Sequence, residues 1–194
     1  MKHELTLHDV MPMDRYAAER REHGRRLSEI KKNRRVAVGP DATFYFENYD
    51  TMWYQVHEML HVEKGGADQI PGELAAYNPL IPKGRELVAT MMIEIDDPAR
   101  RARTLAGLGG IEETITLSVG GETIKAVAEA DVDRTSAAGK ASSVQFVHFP
   151  FTDAQVAAFR KPEAEVVVSI GHPRYRHMAV IPEEARAALS EDFD

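Results

Sequence analysis

The sequence predicts a single α+β domain with a largely antiparallel sheet of about eight short strands, helices inserted between its hairpins, and a long basic helix near the start. Three observations carry that expectation. Alternating or β-branched runs are separated by turn signals such as Gly39-Pro40-Asp41 and Gly120-Gly121, which mark hairpins rather than crossovers. Helical periodicity fills two long stretches, 13–33 and 48–64, that interrupt the strands without a strict βαβ alternation. The 194 residues contain no internal repeat, low-complexity tract or convincing linker, so one domain over 1–194 is expected.

Residues 1–11 read as an extended lead-in. From Met13 to Asn33 the pattern is helical, with Tyr16, Ala17, Leu27 and Ile30 as its sparse apolar positions. So thin a stripe does not make a core helix; it predicts one lying across the body's surface or reaching a partner. Arg34–Val38 and Thr43–Glu47 flank the Gly-Pro-Asp turn as a hairpin. Asn48 or Asp50 can cap the next helix, which Gly65-Gly66 stops near Lys64. On that helix Tyr49, Met52, Trp53, Val56, Met59 and Leu60 form one apolar arc, and Glu63 falls inside it. A carboxylate there must be paired, protonated or bound to a cation, unless the helix frays before it.

Pro71–Tyr77 predicts a short helix, and Asn78-Pro79-Leu80-Ile81-Pro82-Lys83-Gly84 a proline-stiffened loop that either connects or lines a pocket. Leu87–Ile95 is the strongest strand. A basic helix follows from Ala99 to about Leu108, opened by Asp96-Asp97-Pro98. Thr114–Val119 and Thr123–Val127 make a hairpin around Gly120-Gly121. Residues 131–142 read as a small-residue loop, Ser143–Phe151 as a strand and Asp153–Arg160 as a helix. Glu165–Ile170 and a segment through Ile181 are the last strands, and Pro182 to Ser190 is a terminal helix.

Composition narrows the chemistry. With 43% hydrophobic and 28% charged residues the chain is of ordinary globular type. No 18-residue apolar run predicts a membrane span, and the start carries acids and histidines where a signal peptide needs an apolar run, so a cytoplasmic location is expected. The absence of cysteine removes disulfides, thiol nucleophiles and thiolate-held clusters. Net charge is −7 but uneven: residues 1–35 hold ten Lys/Arg against six Asp/Glu, the remainder 14 against 25. A basic arm on an acidic body suits a partner protein. Nucleic acid is disfavoured, because the whole domain is acidic and no aromatics interleave the basic run.

The catalytic signature in the chain is His57-Glu58-Met59-Leu60-His61, an H-E-x-x-H pattern. On a helix it sets two imidazoles one turn apart beside a carboxylate, the arrangement with which zinc hydrolases hold a metal and position a general base. Under that reading His57 and His61 are ligands and Glu58 is the catalytic base. No third ligand follows in a zincin register: Lys64 and Ala67 stand where a metzincin carries Gly and His. A broader metal site would join His57 and His61 to Glu63, His148, His172 or His177, a donor set suited to Zn, Fe or Mn.

Four stretches together resemble one family. They are Lys31-Lys32-Asn33-Arg34-Arg35-Val36-Ala37-Val38-Gly39-Pro40, Tyr54-Gln55-Val56-His57-Glu58-Met59-Leu60, Glu73-Leu74-Ala75-Ala76-Tyr77-Asn78-Pro79-Leu80-Ile81-Pro82 and His172-Pro173-Arg174-Tyr175-Arg176-His177. The chain resembles, over nearly its whole length, the uncharacterised bacterial domain of unknown function "thirty-five-oh-one". Family members are often encoded beside rubrerythrin and an iron–sulfur oxidoreductase. The resemblance therefore implies an accessory role in a peroxide or electron-transfer system, exerted through contact with one of those partners, with or without a bound metal. The positions of His57 and His61 more usually hold Gln and Arg in that family, so the resemblance does not extend H-E-x-x-H to its shared role.

Overall fold

A computed structural model describes residues 2–129 and 139–194. The loop expected over 131–142 lies mostly outside them. The strands form two antiparallel sheets. The first has the order β1-β2-β3-β7-β6, with β1 at Arg35–Val38, β2 at Ala42–Glu47, β3 at Glu86–Ile93, β6 at Val127–Ala128 and β7 at Val144–Pro150. The second has the order β5-β4-β8-β9, from β4 at Ile115–Val119, β5 at Glu122–Lys125, β8 at Val166–His172 and β9 at Tyr175–Val180. The α+β class stands. Among the described residues nine strands in two sheets stand in place of the expected single sheet, because alternation reveals which side chains point inward but not which strands pair.

Inward-facing residues of both sheets share one core. In the first sheet Phe44 pairs with Met91 and Leu87 with Phe149; in the second Leu117 pairs with Val168 and Ile115 with Ile170. All eight are essentially inaccessible and belong to the same cluster. Burying each large side chain contributes about 1.5–3 kcal/mol, so this interface dominates the fold. Helices α4 (Pro98–Leu105), α5 (Asp153–Phe159) and α6 (Glu183–Ser190) add Leu105, Phe159 and Leu189 to it.

The segment expected as one strand over Thr123–Val127 divides. Ala126 still donates to Ile115 O (3.0 Å), but Val127 pairs with His148. The chain thus crosses from the second sheet to the first at Ala126–Val127. Tyr175 on β9 ties the sheets at the opposite side. Its hydroxyl donates to Val38 O (2.8 Å) and accepts from the backbone N–H of Asp41 (2.9 Å) and Ala42 (2.8 Å). Gly39 turns the β1–β2 hairpin at φ +75°, and a Cβ there would stand 2.6 Å from the His177 ring.

The other face of the first sheet carries the helices α1 (Met13–Lys32), α2 (Tyr49–Glu63) and α3 (Ile70–Tyr77). Met52, Val56 and Leu60 of α2 pack on Val88 of β3 and, with Leu5 from the lead-in, form a second cluster. Asn48 caps α2, accepting from Thr51 N–H (3.0 Å) while its own N–H donates to Thr51 Oγ1 (2.9 Å). Lys64, left-handed at φ 57°, ends it. Glu63 is therefore the last helical residue. It lies exposed, not inside the apolar arc, and accepts from Gln69 Nε2 at 2.7 Å.

Candidate functional site

The H-E-x-x-H residues sit where α1 crosses α2. Only Tyr16 and Leu27 of α1 are buried, as its thin stripe predicts, yet Tyr16 lies at the centre of a ring cluster. His57 (5.1 Å between centroids), His23 (5.8 Å), His61 (5.9 Å), Trp53 (6.1 Å) and Tyr54 (6.4 Å) surround it. Such offset and edge contacts stabilise beyond simple area burial.

His57 is fully buried and both its ring nitrogens have partners. Nδ1 stands 2.6 Å from the Trp53 carbonyl and must donate; Nε2 accepts from the Met11 N–H at 3.1 Å. The ring is therefore the neutral Nδ1–H tautomer, and burial holds its pKa below the ordinary histidine value. The lone pair a metal would need is the one the Met11 N–H occupies.

Glu58 is equally engaged. Arg20 grips it with two bonds, Nε to Oε1 (2.8 Å) and a terminal nitrogen to Oε2 (2.7 Å), and the Tyr16 hydroxyl donates to Oε1 at 2.5 Å. The Arg20 contact, with help from Tyr16, carries its pKa down to about 2 against the opposing effect of burial. A general base needs a pKa near working pH and a free approach. Glu58 instead has the environment of an interhelical ion pair. His61 is half-buried with its ring edge on Tyr16.

The remaining candidates lie apart. His148 is on β7, with Nδ1 3.0 Å from Glu86 and Nε2 2.9 Å from Glu129. His172 and His177 belong to β8 and β9 of the second sheet, across the core from α2. His172 Nδ1 accepts from the Arg174 N–H at 3.2 Å, and exposed His177 packs its ring edge on Tyr175. Among the described residues no three His, Asp or Glu side chains gather in a way that could hold a metal ion.

Other engaged residues carry no local sequence signal. Asn78, in the proline-rich loop, accepts from Leu5 N–H (2.7 Å) and donates to Leu5 O (2.9 Å), pairing the lead-in as a strand would. In the same loop region Lys83 Nζ donates to Asn78 O (3.1 Å) and to His3 O, while Gly84 O accepts from Asp194 N–H (3.0 Å). The loop that could have lined a pocket is thus a clasp for both ends of the described chain. Trp53 Nε1 donates to Asp9 O (2.9 Å), and Asp9 also accepts from Lys2 (2.6 Å) and Tyr49 (2.8 Å), so residues 2–12 form a strap over α2. The Lys2 contact holds the Asp9 carboxyl far below the usual range. Arg34 is buried against Asp192, Phe46 O (3.0 Å) and Glu47 O (3.1 Å). Burial pushes the Asp192 carboxyl up to about 6, with Arg34 opposing.

These features define a class: a two-sheet α+β protein with a strapped helical pair on one outer face and its ends clasped by a proline-rich loop. The chain belongs to the family described as Protein of unknown function (DUF3501), which it matches over residues 4–193. It is also similar to the crystal structure of a novel protein of unknown function from Burkholderia pseudomallei K96243. The two share 37% sequence identity with a TM-score of 0.91, over 98% of this chain and 99% of that one. No curated protein matches the chain. No helix among the described residues is long and apolar enough to cross a membrane.

Proposed function

We propose that the protein is an accessory factor that works by docking on an acidic partner protein through the outward face of α1. The observation that supports this reading is a division of labour among the α1 cations. Arg15, Arg20, Arg26 and Lys32 each have a carboxylate partner, in Glu19, Glu58, Asp50 and Glu29. Arg21 and Arg25, one turn apart, stand exposed and border a shallow groove with Gly24 and Ser28. Guanidinium groups that have no carboxylate partner among the described residues, on a rigid helix of roughly 30 Å, are suited to steering and orienting an acidic surface. Glu22 beside them limits the charge and favours a shaped protein surface over a polyanion.

The family resemblance supplies the setting: rubrerythrin or an iron–sulfur oxidoreductase of a peroxide or electron-transfer system as the partner. The test is binding of purified protein to those two partners at low and moderate salt, by calorimetry, with Arg21→Glu/Arg25→Glu beside the unaltered chain. Salt-sensitive binding, weakened about tenfold or more by the double reversal, supports the proposal. Absence of binding at low salt, or binding indifferent to the reversal, overturns it.

A further inference from the structure

Two histidines of the helix-bearing side, His57 and His148, have opposite protonation requirements. His57 faces one acceptor and one donor, and so must be neutral. His148 faces two acceptors. Its Nδ1 lies 3.0 Å from Glu86 Oε2 and its Nε2 2.9 Å from Glu129 Oε2. A neutral imidazole has one N–H and an ionised carboxylate has none, so only imidazolium satisfies both contacts. The three side chains are 18%, 18% and 26% exposed, enough shelter for the charges to act on one another with little screening.

We propose that His148 is a pH-operated latch: as imidazolium it binds the chain leaving β6 to β3 and β7, and as neutral imidazole it releases Glu129. The placement supports this. The rung Val88–His148–Val127 puts the ring at the junction of three strands, and β6 is a two-residue edge strand. Beyond β6 the chain is held by Glu129, whose N–H donates to Phe146 O (3.0 Å) and whose side chain reaches His148. Glu86 keeps a second bond whatever the ring does, because Oε1 accepts from the Lys83 N–H at 3.2 Å. Glu129 has no such reserve among the described residues, so it is the group set free.

The charged groups facing His148 are Glu86 from β3 and Glu129 after β6. Its cross-strand neighbours Val88 and Val127 and its same-face neighbours Phe146 and Pro150 carry no charge. Burial opposes the imidazolium, but the two carboxylates outweigh it and hold the pKa above the ordinary value. Release accordingly comes at a higher pH than the loss of a proton from an ordinary histidine.

The test uses the full chain. Nitrogen-15 NMR reads the His148 ring directly, and amide hydrogen exchange, expressed as protection factors, reads Glu129. We expect both ring nitrogens to be protonated at pH 6.5, and Glu129 protection to fall about tenfold as pH rises through the ring's own midpoint. Glu129→Gln should lower that midpoint, and His148→Gln should leave protection low and flat with pH. A ring with a single N–H at pH 6.5, or Glu129 protection that ignores the His148 titration, overturns the proposal. If Glu129→Gln does not fold, Glu86→Gln must lower the midpoint in the same sense; an unchanged midpoint in that variant also overturns it.

Discussion

The Met11 N–H donates to His57 Nε2 at 3.1 Å, so the first imidazole of H-E-x-x-H is the peg on which the N-terminal strap hangs. Its other nitrogen donates to the Trp53 carbonyl one turn back. What this position requires is one donor and one acceptor at the ends of a flat side chain, inside a ring cluster.

Glutamine supplies the same pair of groups, an amide N–H to donate and a carbonyl to accept. His57→Gln should therefore change stability by less than about 1 kcal/mol, whereas His57→Leu, which leaves the Met11 N–H unpaired and takes the second donor from the Trp53 carbonyl, should cost about 1–3 kcal/mol. Urea denaturation measures both. Equal losses in the two variants would contradict the donor–acceptor role. A folded His57→Gln that loses bound metal, by elemental analysis of untagged protein, would favour the zinc-hydrolase reading instead.

Glu58 connects α1 to α2 in a pH-dependent way. Its folded pKa of about 2 is below the unfolded carboxylate value, so its contribution is full above about pH 4.5 and is lost as pH falls toward 2. Comparing Glu58→Gln with the unaltered chain across that window should reveal a stability gap that closes with acid. It should reach about 2 kcal/mol near neutrality once solvent screening is allowed for. Parallel pH profiles for the two proteins would show the ion pair to be without consequence.

Asp192 runs in the opposite direction. Its folded pKa is raised to about 6, so its contribution is largest below about pH 4 and declines as pH rises to 6. Its partner Arg34 also donates to the carbonyls of Phe46, Glu47 and Ala188, so Arg34→Ala leaves a buried carboxyl and three acceptors behind. A loss of about 3–5 kcal/mol is expected at pH 7, shrinking toward pH 4 as Asp192 takes up its proton. Thermal unfolding at the two pH values checks it; a loss that grows toward pH 4 would reverse the assigned sign.

Tyr175 and Gly39 form the seam between the sheets. Tyr175→Phe strands three backbone groups at the β1–β2 turn and should cost about 2–3 kcal/mol. Gly39→Ala should cost at least about 1–3 kcal/mol, since it meets both a positive φ and the His177 ring at 2.6 Å. Hydrogen exchange should show loss of protection at Val38–Ala42 in Tyr175→Phe before the rest of the sheet. Uniform loss throughout would place the seam elsewhere.

Local signals were readable where one residue acts on its near neighbours. The Asn48 cap with Thr51, the stop at Lys64-Gly65, the hairpin at Gly39-Pro40 and the thin stripe of α1 all follow from short-range chemistry. Glu63 departs from the apolar arc for a definable reason: at 100° per residue it belongs there, but the helix ends on it and the arc has no further turn to enclose it. The division of strands into two sheets was hidden because Val127 and Thr123 share one alternation, and only pairing with His148 reveals the crossing.

Residue order alone sets the α+β class, the helix and strand periods, the cysteine-free chemistry and the placement of His57, Glu58 and His61 on one helix. Tertiary structure decided what those residues do. Arg20 is 38 positions from Glu58, Met11 is 46 from His57 and Asp192 is 158 from Arg34, separations over which no periodicity acts. A donor's partner is set by where folding brings the chain back, so a motif can be read in a line of residues while its chemistry waits for the contact.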